Sequence, residues 1–382
     1  MTVYMVYFTF ICFVLLLTLI NAYFLISLTM EKRNQRQVEK KKEQVTKILV
    51  SFFENNEINR EEVIKKLKSY LNWNIDIQAF HESVKEYQIQ SEHKDELTQL
   101  LEEVIDIKKL VKSGAIREEH GTSYALYLMS EFGIEGKEVG DFALSSLNRN
   151  SLHVRNNALN VVSKNHNLGI VMEAMNQINK GEHYFNDKTV IDFLDSYRGN
   201  QEELAERLYE EMDTYNINLQ KNIINHFNNT MNDEPKIRGK LLSFLQHDKD
   251  KELVIVSTRY FSKIIEPLAK SKIMANLASD DWEVRAISAK VIAQYPGEET
   301  IDQLRVTLTD ENYYVRYNSA HSFLKLADNE TVIEEALTNS DPFARDILLY
   351  LMNIEGIISI EKYEELFNQK QTVESIEGVV LI

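Results

Sequence analysis

The chain has one cysteine, Cys12, among 382 residues, so it can form no internal disulfide and no cysteine-built metal site. Proline and glycine are also scarce, at 4 and 12. Average usage is about 5% and 7%, so sandwiches, barrels and dinucleotide folds would lack the turn residues they depend on. Basic residues are outnumbered, 43 to 59, for a formal charge of −16. Phosphate-backbone recognition draws its affinity from clustered Lys and Arg, so nucleic acid is excluded as an expected partner. Catalytic signatures are missing as well. There is no HExxH, GxGxxG, P-loop or GxSxG, so zincin, dinucleotide, NTPase and hydrolase-elbow chemistries have no mechanical parts here. No catalytic residue, cofactor, metal or small-molecule substrate is expected.

One long apolar run is present. VYMVYFTFICFVLLLTLINAYFLISLTM, from Val3 to Met30, holds no charge and exceeds the roughly 20 residues that cross a bilayer core. It lacks the basic start, short apolar centre and small-residue site of a cleaved signal. Lys32, Arg33, Arg36, Lys40, Lys41 and Lys42 follow directly, which predicts a single-pass cell-membrane protein with its N-terminus outside and its body in the cytoplasm. This basic flank also attracts anionic headgroups. Asn21 is either a tolerated single amide near the cytoplasmic end or bonded to a second membrane helix. From Glu31 to Lys47 the charge is about +4, which leaves about −20 for the remainder.

Beyond the flank, apolar residues recur at helical spacing, as in Leu277, Val284, Ile287 and Val291, or Val315, Ala320, Phe323 and Leu324. The fold class is all-α. Gly169, Gly199, Pro296-Gly297 and Asp328-Asn329 are expected to punctuate helix pairs with left-handed caps or proline stops. Self-similarity is clearest between LASDDWEVRAISAKVI from Leu277 and LTDENYYVRYNSAHSFL from Leu308. LTNSDPFARDILLYL from Leu337 and LNRNSLHVRNNALNVV from Leu147 share the register. The arginines of these copies are Arg155, Arg285, Arg316 and Arg345; the last three are spaced about 30 residues apart, with room for degenerate copies near 187–197, 218–228 and 251–264.

Leu, a polar turn with Asp, then Val-Arg and a small residue one turn later resembles the HEAT repeat, including the short HEAT-like variety of bacterial proteins. Composition rich in Asn, Lys and Ile fits a low-GC bacterium. The resemblance implies an α-solenoid of helix pairs in which Arg155, Arg285, Arg316 and Arg345 are structural. Asp280, Asp281, Asp310 and Asp341 would then be caps or partners in a side-chain ladder between repeats. The predicted layout is a transmembrane helix over 1–30, a basic segment over 31–47, and a helical stalk or cap over 48–112. A HEAT-like array over 113–356 and a capping tail over 357–382 complete it.

Trp282, Tyr313, Tyr314 and Tyr317, with Phe343, are ordinary inter-repeat core on one reading and an interface on the other. Core is the ordinary reading, with Tyr313 the residue placed to be exposed. The expected function is a membrane-anchored scaffold for protein partners at the membrane. Its layout resembles accessory subunits of envelope-polysaccharide glycosyltransferases. The alternative is a HEAT-like enzyme, a lyase or metal hydroxylase, but only His81-Glu82 reads like the latter's metal-binding pairs.

Overall fold

Asparagine and aspartate set the helix starts in the computed structural model, which describes residues 2–70, 74–90, 93–105, 119–246 and 249–367. Side chains of Asn59, Asn167, Asn186, Asn200, Asn216, Asp250, Asn312, Asp328 and Asp341 each accept a backbone N–H of the helix they precede. Such bonds satisfy donors that a helix cannot pair internally. Three of the four prolines, Pro235, Pro267 and Pro342, open helices, where the missing N–H costs nothing. Among the described residues there is no strand.

The chain divides into two compact units, Met1–Val161 and Val162–Ile382. The first contains α1 (Thr2–Phe53), α2 (Arg60–Ser69), α3 (Asn74–Gln90), α4 (Lys94–Val104), α5 (Glu119–Glu131) and α6 (Lys137–Ser146). The division falls within α7 (Leu152–Lys164). The expected boundary at 112/113 lies outside the described residues.

Helix α1 runs unbroken through both expected junctions, at 30/31 and 47/48, for 52 residues or about 78 Å. No glycine or proline interrupts it. Its apolar part is exposed from Tyr7 to Met30, with mean hydropathy 2.5 over its most apolar 18 residues. Its last third is buried on one stripe, at Val38, Val45, Leu49 and Phe53, against Ala79, Phe80, Val84 and Tyr87 of α3. Part of the basic flank is therefore paired within the unit. Lys41 bonds Asp76, Lys42 Nζ lies 2.7 Å from Glu86, and Ser83 Oγ donates to the Lys42 carbonyl at 2.8 Å. Asn21 Nδ2 donates to the Leu17 carbonyl at 2.9 Å, so one of its amide N–H groups is bonded within α1.

The second unit alternates first and second helices of successive pairs: α8 (Leu168–Lys180) with α9 (Asp187–Asp195), α10 (Gln201–Glu211) with α11 (Ile217–Asn229), and α12 (Pro235–Phe244) with α13 (Lys251–Tyr260). Then come α14 (Pro267–Asn276) with α15 (Trp282–Val291), α16 (Glu298–Thr307) with α17 (Tyr313–Leu326), and α18 (Asn329–Thr338) with α19 (Pro342–Ile354). A last helix, α20, spans 360–367. The second helices begin 29 to 34 residues apart and pack each on the next from α9 to α19. Helices α9, α11 and α13 occupy the three intervals where degenerate copies were expected.

Gly169 departs from its expected role. It is the second residue of α8, after the Asn167 cap, and the left-handed residue that ends this helix is Gly181, at φ 71°. Gly297, at φ 149°, precedes α16 at its N-cap rather than closing a helix. The apolar tail after Phe367, expected to cap the array, lies outside the described residues.

Candidate functional site

The repeat arginines act first on their own turns. Arg285 Nη1 donates to the carbonyls of Ser279 and Asp280 at 2.8 and 3.1 Å, and Arg316 Nη1 to those of Asp310 and Glu311 at 2.7 and 3.0 Å. Arg155 makes the same pair of bonds to Arg149 and Asn150, at 2.8 and 2.7 Å. Each guanidinium thus reaches back five and six residues to carbonyls of the turn that precedes its own helix. The bend between the paired helices is closed by a charge-assisted bond.

Arg285 extends this into a link between repeats through a carboxylate. Its Nε and Nη2 grip Asp310 at 2.7 and 3.1 Å, and Glu311 lies 3.5 Å away. Arg285 is 9% exposed. Hydrogen bonding to Asp310 raises its pKa above the already high arginine value. Among the described residues Arg316 meets no carboxylate; its guanidinium lies over Phe343 of the next repeat, 5.2 Å from the ring centre. Asp341 caps α19 through the Ala344 N–H at 2.9 Å, and Arg345 stands one residue after Ala344. Asp281 holds the cap position of α15 without a side-chain cap bond, and Asp280 contributes its carbonyl to Arg285.

A second ladder between repeats is neutral, and nothing in the Val-Arg pattern announces it. Asn318 Nδ2 donates to the Ala286 carbonyl at 2.8 Å, and Ser322 Oγ to that of Ala289 at 2.6 Å, fastening α17 to α15. Asn276 reaches the Leu245 carbonyl at 3.2 Å, and the Tyr295 hydroxyl donates to Phe261 at 3.0 Å. Polar residues recurring at the repeat interval were the available signal. Side chains that bond a neighbour's backbone fix the register of adjacent helices without the cost of desolvating an ion pair.

The aromatic set is not core. Trp282, Tyr313, Tyr314 and Phe343 are 39%, 52%, 60% and 62% exposed, and Tyr317 is half-buried. They stand in the first turns of three successive second helices, α15, α17 and α19, so their outward direction follows from the start of each helix. Valine and alanine one or two positions on, Val284, Val315 and Ala344, take the buried face. Trp282 and Tyr314 stack across the repeat boundary, centroids 5.7 Å apart at 23°. Tyr313 meets Tyr314 edge-on at 5.6 Å and Tyr317 at 6.0 Å. Trp282, Tyr313 and Tyr314 thus form one exposed aromatic cluster across two repeats, with Phe343 exposed on the next.

Ionisable side chains elsewhere meet mainly in pairs. His226 Nδ1 lies 2.6 Å from Asp195, and His81 Nε2 lies 2.9 Å from Glu131. Among the described residues no three His, Cys, Asp or Glu side chains converge as a metal site requires.

Residues 271–350 match the family of HEAT repeats. No curated protein matches the sequence. Among solved structures, a chain from a homology model of the full-length AP-3 complex in an intermediate open conformation is similar at 14% identity and a TM-score of 0.41, covering 87% of this chain and 68% of that one. An engineered protein is similar at 13% identity and a TM-score of 0.32, covering 76% of this chain and 87% of that one. The chain carries HEAT repeats, recognised over residues 271–350 and set within a run of helix pairs, behind one apolar helix long enough to cross a membrane.

Proposed function

We propose that this protein is a membrane-anchored scaffold whose helical repeats hold a protein partner at the cytoplasmic face. The observation that carries the reading is the aromatic cluster of Trp282, Tyr313, Tyr314 and Phe343, exposed on three consecutive repeats. Tyrosine and tryptophan supply large contact area for little conformational entropy and dominate binding energy at protein interfaces. Of their carriers, α15 and α17 are fastened together by the Asn318, Ser322 and Arg285 bonds, and Arg316 of α17 lies over the Phe343 ring of α19, so the cluster is held in place before a partner arrives.

The anchor would be residues 3–30, in which every side chain from Tyr7 to Met30 is exposed. Exposure of this much apolar surface is unfavourable in water, at about 25 cal/mol per Å². Placing it in lipid removes that cost, and the basic flank after Met30 orients the body inward by the positive-inside rule. Within this reading the partner is a membrane enzyme of the envelope-polysaccharide glycosyltransferase kind, a step that rests on the tethered-repeat layout seen in the sequence. Co-purification of the full-length protein in mild detergent tests the proposal. One membrane protein recovered at constant ratio from independent preparations supports it; full-length protein that purifies alone refutes it.

A further inference from the structure

Acidic side chains frame the aromatic cluster. Asp280 and Asp281 directly precede Trp282, Glu311 stands two residues before Tyr313, and all three are exposed. The cations around them are already engaged. Arg285 is held by Asp310 and two carbonyls and lies 3.5 Å from Glu311, Arg316 is held by two carbonyls and the Phe343 ring, and Lys251 Nζ lies 3.0 Å from Glu283 and 3.8 Å from Asp281. Across residues 271–350 there are seven basic and fourteen acidic side chains, a net charge of −7. One effect opposes a cationic visitor: the cluster sits at helix N-termini, whose dipoles favour anions by about 0.3–1 kcal/mol. Asn312 and Asp341 already cover N–H groups of α17 and α19, however, and the Glu311 side chain, 89% exposed, stands out in solvent even with Arg285 3.5 Å away.

We propose that this surface receives a Lys/Arg-bearing cytoplasmic segment of a membrane protein. The stacked Trp282–Tyr314 pair offers ring surface on which an aliphatic stem and its cationic end can lie, an attraction of about 0.5–2 kcal/mol per contact. Asp280, Asp281 and Glu311 complement the charge and steer approach. This rests on the scaffold reading for the partner's location. A membrane neighbour supplies the right chemistry, because short cytoplasmic loops flanking membrane helices carry an excess of Lys and Arg. An anionic bilayer carries the wrong sign for this surface.

The test uses the full-length protein in zwitterionic detergent, bearing Trp73→Phe so that Trp282 is its one tryptophan. A labelled 15-residue peptide alternating Lys or Arg with Ser is titrated, and both its anisotropy and Trp282 emission are followed. Saturable binding is expected, with an emission change, weakened at least tenfold by Tyr314→Ala and by the triple change Asp280→Asn, Asp281→Asn, Glu311→Gln. Removing three exposed charges elsewhere, by Glu202→Gln, Glu203→Gln and Glu330→Gln, should change affinity less than twofold. The Lys/Arg→Gln peptide should not bind. Equal weakening by both triple variants, unchanged binding by Tyr314→Ala, absence of binding, or a Trp282 response to phosphatidylserine vesicles in place of the peptide would each overturn the proposal. Co-purification separates this from the scaffold reading. A partner recovered undiminished with Tyr314→Ala leaves the scaffold standing without this surface, whereas a wild-type protein that recovers none removes the scaffold reading itself.

Discussion

Replacing Arg285 by alanine should open the repeat boundary at α15–α17 and leave distant repeats closed. The substitution orphans the Ser279 and Asp280 carbonyls and leaves the Asp310 carboxylate, 11% exposed at its side chain, without its main partner. A charge-assisted hydrogen bond contributes about 1.5–3 kcal/mol, and breaking a buried pair costs about 3–5 kcal/mol. The pair lies at the margin of the surface, where water recovers part of that loss. A net cost of about 3 kcal/mol follows. Arg316→Ala frees two carbonyls and a ring contact but strands no carboxylate, so its cost should be nearer 1.5 kcal/mol by the same bond energies. Since about 1.4 kcal/mol is a factor of ten, amide exchange in peptides covering 279–292 and 308–320 should quicken about a hundredfold for Arg285→Ala and about tenfold for Arg316→Ala. Exchange followed by mass spectrometry reads both. Arg285→Lys should recover little, because an ammonium cannot grip Asp310 in two places while meeting two carbonyls. A change below about fivefold in Arg285→Ala, or equal effects of the two alanine variants, would refute this reasoning.

Ala289 is fully buried where the Ser322 hydroxyl meets its carbonyl, so Ala289→Leu should overpack α15 against α17 by about 1–3 kcal/mol. A melting temperature unchanged by circular dichroism would contradict that contact. Gly181→Ala forces a Cβ into the left-handed region that closes α8 and should cost about 1–2 kcal/mol, again as a lowered melting temperature. Asp328 is held below the usual carboxylate range, chiefly by the Thr331 N–H and then by its hydroxyl. Its folded-state value is depressed, so the cap of α18 contributes fully above about pH 4 and is lost as pH falls through the folded value. Asp328→Asn should therefore lose less stability than the parent between pH 5 and 3, and parallel melting curves would show that this cap does not titrate with folding.

Helix content and repeat register were legible because they depend on spacing alone. Val284, Val315 and Ala344 are buried at one register position, and amphipathic spacing sufficed to place α9, α11 and α13 without a Val-Arg pair. Gly169 misled because glycine occurs at either end of a helix, and only the neighbouring Asn167 cap distinguishes them. The Val-Arg spacing singled out the arginines, but Arg155, Arg285 and Arg316 all bond carbonyls, and backbone acceptors have no sequence signature. Hence Arg316 turns onto its own bend and Phe343 instead of an acidic neighbour. The aromatic cluster was found in sequence but assigned to core as the ordinary reading. In the first turn of a helix, adjacent residues point well apart, so Val315 can be buried while Tyr314 beside it is exposed. Continuity of α1 was also available, since no breaker separates Met30 from Phe53; the change from apolar to basic side chains alters its surroundings, not its backbone.

Site-specific photo-crosslinking in intact cells, with the reactive group at Tyr314 of the full-length protein, followed by alkaline-carbonate fractionation, tests anchoring and partner binding together. The account predicts a single protein adduct that stays in the membrane pellet and is absent when the group is placed at the exposed Glu206 on α10. Protein released into the carbonate supernatant, or the same adducts from both positions, would contradict it.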